Sequence, residues 1–299
     1  MSYVKKSLVA AAIIVSVEFI PIVSGIQPNY VYGGSDLAEP ADMGFGDTVE
    51  SLEADVSGRQ SDKEKLISTR QCPGCDLRDV NLAGADLRSA ELGGTNLTGA
   101  ILEDVDLSGG SNLGNVNLTG ANLKNVNLTD AIMDGANLTN ADLTGANLTR
   151  VDLTNVKING TNLTGAKLPH ANLSNTNLRG LDFHGADLSG ADLTGSDLSN
   201  CNLKGATLSG TKLLRALLFG SDLSNTTLCY ADLQDVNLVA PNSSVTQSSF
   251  NLDGANLSGA NLKGADLSKA SVKGTILKDA KDLTAEQKAD LQKRGAIVD

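Results

Sequence analysis

From residue 77 onward an apolar residue returns at every fifth position. Leu77, Leu82 and Leu87 open a run that reaches Leu107. One extra residue within Ser108–Asn112 shifts the register to Leu113, and the beat then continues to Leu238, with Met133, Ile158 and Phe183 as the only substitutes for Leu. It resumes at Leu252 and runs through Val272 to Leu277. The three runs hold 7, 26 and 6 repeats, 39 in all. Repetition at a fixed period defines the architecture before any local propensity does.

The flanking positions are equally regular. Two residues before the central one stands a small residue, as at Ala85, Ala121, Val126, Thr161 and Ala191. One before it is Asn or Asp, one after it is often Ser or Thr, and two after it is often Gly or Asn. A period of five fits neither common element. On an α-helix it advances about 140° past a full turn, which would spread the Leu set over every face. In a flat strand an odd step sends successive Leu to opposite sides. The conflict disappears if the chain turns a corner every five residues. Each pentad is then one side of a coil, with its Leu and its small residue both pointing inward. Four sides close a square of about 20 residues, and such coils stack at ~4.8 Å. Gly and Asn near the end of each pentad suit the corners, because they tolerate left-handed backbone angles.

A stack of coils has two open ends that need cover. Ser61 to Glu64 reads as a capping box that opens a capping helix over 61–74, and Thr284 to Gln287 as a second one within 282–299. The coils then span 75–281, interrupted at 108–112 and 239–251. The gap from Leu238 to Leu252 reads as two replaced repeats.

Stretches such as ANLTNADLTGANLT resemble the A-(D/N)-L-x-x motif of the pentapeptide repeat family, over roughly residues 75–280. The resemblance implies an all-β fold, a right-handed quadrilateral β-helix with short α-helical caps. Nearly ten coils would make a rod of roughly 45–50 Å. The start of the chain, Cys72-Pro73-Gly74-Cys75 and the closing LTAEQKADLQKRGA are similar to exported cyanobacterial members.

Outside the repeats the composition changes. Lys5 and Lys6 precede an apolar stretch from Leu8 to Val17, and Ser24 and Gly25 close it, as in a secretory signal over 1–25. Glu18 and Pro21 cut the apolar run short of the ~20 residues a spanning helix needs. Cleavage is expected after Ser24 or Gly25, with no stable membrane insertion afterwards. Residues 26–60 carry Asp36, Glu39, Asp42, Asp47, Glu50, Glu53 and Asp55 against Arg59 alone, and read as a flexible acidic linker. The whole chain has a net charge of −11, which opposes direct binding to nucleic acid or anionic membranes. An exported location, a periplasm or a thylakoid lumen, is expected.

Candidate chemistry is sparse. Cys72 and Cys75 read as a structural disulfide, as two reduced cysteines or as a redox pair. No second C-x-x-C and no paired His accompanies them, so no tetrahedral zinc site is expected. Cys201 takes the small inward slot before Leu203, whereas Cys229 follows Leu228 and should face outward. His170 and His184 also fall at outward positions. Asp, Ser and Thr come with every repeat, so no catalytic set stands out. The expectation is a non-enzymatic scaffold with no cofactor and no metal, binding an unknown protein partner. The resemblance offers one alternative, an acidic DNA-mimic rod that binds a type II topoisomerase. A thiol-redox role for the C-x-x-C is another. The most unusual outward residues are Leu214, Leu217 and Phe219, with Val239 one coil further on. They form either a partner patch or a surface that the segment 240–249 folds back to cover.

Overall fold

The computed structural model describes residues 46–236 and 250–298, with side chains from residue 54. The expected signal segment, residues 26–45 of the expected linker and Val239 lie outside the described residues. Each side of the coil contributes one bridge residue, paired in parallel with the residue 20 further on, as in Asn117 with Asn137 and Asn122 with Asp142. Twenty residues per turn and a corner every five make four sides. Among the described residues no side is longer than a single bridge, so the walls are stacks of isolated parallel bridges.

The repeat positions divide the work. The central N–H donates to the coil above, as from Leu118 to the Asn137 carbonyl at 2.8 Å. The N–H one residue earlier donates to the coil below, as from Asn137 to the Val116 carbonyl at 2.9 Å. The corner closes when Ala121 N–H returns to the Leu118 carbonyl at 3.1 Å around Gly120, whose φ of 64° marks a type II turn. Asn117 Oδ1 accepts from both the N–H and the hydroxyl of Thr119, at 3.2 and 2.7 Å. That pair of bonds is why Asn or Asp, Leu, then Ser or Thr recurs: the side-chain oxygen braces the entry to each corner. Central and small residues fill the interior, from Leu77 to Leu277.

Four features differ from the sequence reading. The N-terminal helix, α1, runs Gly46–Thr69, so residues 46–60 are helical rather than linker, and Ser61 lies mid-helix instead of capping it. The first side of the coil is centred on Cys72, not Leu77: Gln71 bridges Glu91, and Cys72 N–H donates to the Glu91 carbonyl at 2.8 Å. The coil therefore begins near residue 71, inside the segment expected to be the capping helix. The second interruption removes no repeats. Asp222 bridges Asn251, Thr227 bridges Asn256 and Asp232 bridges Asn261, each 29 residues apart. The turn that crosses this gap is thus nine residues longer than the usual 20. Finally, the corner residues Asn155 and Lys269 are the two among the described corners that lack a positive φ. Next to Asn155, no bridge joins Ile132 to Asp152 or Lys157 to Asn177.

The first interruption is a single added residue. Gly109 and Gly110 both take φ of 76° and absorb it at one corner, after which bridges such as Asn96 with Asn117 span 21 residues.

Both ends are closed by side chains that imitate a missing coil. Asp55, Arg59, Asp62 and Leu66 share one stripe of α1 by their spacing. Asp62 Oδ2 accepts from Asp76 N–H at 3.0 Å, the group that elsewhere donates to the coil below. Arg59 Nη1 donates to the Arg78 carbonyl at 3.0 Å, Asp55 pairs with Arg78 at 3.2 Å, and Leu66 is fully buried. At the other end helix α2, Ala285–Lys293, starts at a capping box on Thr284 and Gln287 and buries Leu291. Arg294 then donates to the carbonyls of Leu267, Ser268 and Ala270 at 2.9, 2.9 and 3.1 Å. The chain finally rejoins the stack, Ile297 bridging Ile276.

Candidate interaction site

In the segment Lys212–Ser221 the inward residues Leu213, Ala216 and Leu218 are fully buried. Leu214 and Phe219 follow central residues and sit in corners, and Leu217 holds a bridge position opposite Asp197. All three are half-buried. The Arg179 guanidinium lies 5.4 Å from the Phe219 ring centroid, a cation–π contact spanning two coils of one column. The position between them in that column, Ser199, is buried and hydrogen-bonded to Asp197. Arg179 therefore stands against the Phe219 face of the expected patch, and the segment 240–249 expected to cover it lies outside the described residues.

More exposed apolar side chains stand elsewhere. Ile101 and Ile132 occupy bridge positions where Asn or Asp is usual, and Tyr230 sits 78% exposed in a left-handed corner. The break in the ladder beside Ile132 opens a cleft of about 390 Å³ lined by Asp130, Asp134, Arg150 and Asp152. The departure from Asn or Asp at Ile101 and Ile132 was readable in the sequence. The cleft was not.

Acidic groups are spread along the walls rather than stacked. One column runs Asn122, Asp142, Asn162, Asp182, Asn202, Asp222, Asn251, an unbroken alternation. Its amides donate downward, Asn162 to Asp142 at 3.3 Å, Asn202 to Asp182 at 3.0 Å and Asn251 to Asp222 at 3.0 Å. Burial pushes the Asp142 carboxyl up, but bonds from Thr144 and the nearby Lys124 leave it below its ordinary value. Where Asp86 does sit directly beneath Asp106, Arg88 bonds to it at 2.7 Å and Arg70 at 3.0 Å. The Arg88 hydrogen bond in particular holds the Asp86 carboxyl far below the usual carboxylate range.

The cysteines take their places within the same frame. Cys72 and Cys75 are joined by a disulfide across the Pro73-Gly74 corner. Cys201 is buried, its thiol pushed up to about 12 mainly by burial, and Cys229 is half-exposed; neither is bonded to the other. His170 and His184 are exposed. Among the described residues no helix is long and apolar enough to cross a membrane.

A four-sided solenoid with five residues per side and two helical ends is thus defined by register alone. Pentapeptide repeats match residues 75–111, 111–150, 146–185, 157–195, 182–218 and 248–280, and the chain belongs to the pentapeptide repeat family. Membership implies a right-handed quadrilateral β-helix, in keeping with the four sides seen here. HetL, a pentapeptide repeat protein involved in heterocyst differentiation regulation in the cyanobacterium Nostoc, is 30% identical over 70% of this chain and 87% of its own, with a TM-score of 0.32. A trypsin-treated form of QnrB1, a plasmid-mediated fluoroquinolone resistance protein, is 15% identical over 75% of this chain and 94% of its own, with a TM-score of 0.41. A pentapeptide repeat protein from the Arabidopsis thaliana thylakoid lumen is 16% identical over 62% of this chain and 82% of its own, with a TM-score of 0.11. No curated protein matches.

Proposed function

We propose that the protein is a non-enzymatic interaction scaffold that works after export, in a periplasm or a thylakoid lumen. The observation that carries the reading is the Leu214, Leu217 and Phe219 surface, bordered by Arg179, on a wall whose other positions are mostly polar. Aromatic and Arg side chains set beside aliphatic ones are the usual anchors of protein partners. The signal-like start of the chain and a C-x-x-C disulfide both suit an oxidising compartment. Affinity capture from the native compartment tests the proposal. Phe219→Asp and Leu217→Asp should each release the partner that the wild-type chain retains. An unchanged set of partners overturns the patch.

The acidic-mimic reading draws less support. A mimic needs its charges presented outward in runs, whereas here Asp oxygens are spent on corner N–H groups and separated by Asn in the column from Asn122 to Asn251. A supercoiling assay with the purified chain decides it, since inhibition of a topoisomerase at micromolar levels would restore that reading.

A further inference from the structure

We infer that the N-terminal end of the coil stack is a metal site in its reduced state, in which Cys72, Cys75 and Asp62 hold one soft divalent cation of the zinc type. The three side chains offer two Sγ atoms and a carboxylate oxygen that all lie within 4.8 Å of one another. They come from three different places. Cys72 is the central residue of the first side, Cys75 is the small residue of the second, and Asp62 descends from α1 onto the corner between them. Counting cysteines and histidines in the sequence leaves a metal one ligand short. The docking of α1 brings in an acid ten positions upstream, which no C-x-x-C spacing announces.

The surroundings suit such a site. Cys72 is fully buried and Cys75 is 8% exposed, while Asp62 is half-buried at the rim, so the metal would be held away from bulk water with one side open. Asp62 Oδ2 is fixed by Asp76 N–H, which orients the carboxylate as supporting hydrogen bonds do around known metals and leaves its other oxygen for coordination. The Pro73-Gly74 corner keeps the Cys72 and Cys75 Cα atoms 5.4 Å apart. Two Zn–S bonds of about 2.3 Å at a tetrahedral angle set the sulfurs about 3.8 Å apart, a separation the corner can reach once the S–S bond is gone. Water completes the fourth position. Thiolate sulfur selects zinc over magnesium or calcium.

Disulfide and metal are exclusive alternatives. A dithiol reductant supplies two electrons and two protons, the S–S bond breaks, two thiols form, and the reductant leaves as its own disulfide. Cation binding then displaces the two thiol protons into solvent and forms two metal–sulfur bonds and one metal–oxygen bond. The oxidised chain links Cys72 only to Cys75. The reduced, metal-bound chain links both to Asp62, and so adds a metal tie to the hydrogen bonds that already hold α1 on the first coil.

The test uses the full chain, reduced with excess dithiol that is then removed by gel filtration under argon. Titration with Co²⁺ should raise the absorption of a tetrahedral cobalt thiolate to an end point of one ion per chain, and Zn²⁺ should bleach it. The unreduced chain, Cys72→Ser and Cys75→Ser should show no such signal. Asp62→Asn keeps an acceptor for Asp76 N–H but is a poor ligand, and should weaken binding at least about tenfold. Circular dichroism confirms that each variant retains the coil. Absence of the cobalt signal in the reduced wild type overturns the site, and an Asp62→Asn titration that matches wild type removes Asp62 from it.

Discussion

At the scale of single residues, the corner position sets the rules. A left-handed corner costs an ordinary L-residue about 1–2 kcal/mol and costs Gly little, yet many corners here hold Asn. The two residue types are coupled through the stack. Asn125 Oδ1 reaches up to within 2.5 Å of where a Cβ on Gly145 would stand, and Asn140, Asn175 and Asn200 relate in the same way to Gly160, Gly195 and Gly220. Gly165 has nothing within 4 Å of its would-be Cβ. Gly145→Ala should therefore destabilise more than Gly165→Ala, although both carry the same backbone penalty. In an Asn125→Gly background the excess should vanish. Thermal melts of the two-by-two set of variants measure it as a coupling energy, and an excess that survives would mean that the side chain of Asn125 is not its source.

At the scale of elements, the helices replace hydrogen bonds more than they bury apolar surface. The stripe of α1 that meets the coil is mostly charged, Asp55, Arg59 and Asp62 before Leu66. A search for apolar periodicity passes over residues 46–60 for that reason. α2 depends on Arg294, whose fork reaches three carbonyls of the last coil. Charge-assisted bonds are worth about 1.5–3 kcal/mol each when a partner is removed. Arg294→Ala should free the end of the stack, seen as faster amide exchange at Leu277 and Ile297 with little change near Leu148. Arg294→Lys should rescue little, because an ammonium cannot hold the planar fork. Unchanged exchange at Ile297 in the Ala variant would show that Leu291 burial alone retains the helix.

At the scale of the whole molecule, the stack is a chain of nearest neighbours. Leu148 N–H donates to the Lys167 carbonyl in the coil above, and the Asn147 carbonyl accepts from Leu128 N–H in the coil below, so a fault at one coil meets only two others directly. Leu148→Asp puts a charge where no partner exists, which costs several kcal/mol. Limited proteolysis with mass mapping should find new cuts between about residues 128 and 168, while peptides from the two ends stay protected. Loss of protection along the entire chain would instead show that the stack unfolds as one unit.

The period of five, with an inward Leu and an inward small residue, dictates four sides without any knowledge of contacts, because no helix or flat strand can bury that pattern. Asn or Asp before most central residues and Gly or Asn at most corners follow from the same local geometry, and so were legible. Register across gaps was not. Only the pairing of Asp222 with Asn251 shows that the second interruption adds nine residues and removes none, since the sequence carries no mark of which later Leu stacks on which earlier one. Cys72 was likewise hidden, because a Cys followed by Pro does not look like a central Leu until its N–H is seen bonded to the coil above. The meeting of Asp62 with Cys72 and Cys75 depends on where a helix with a charged docking face comes to rest. Local repetition therefore determined the wall of this protein, whereas its ends, its register and the meeting of Asp62 with Cys72 and Cys75 were decided by long-range hydrogen bonds that leave no periodic trace.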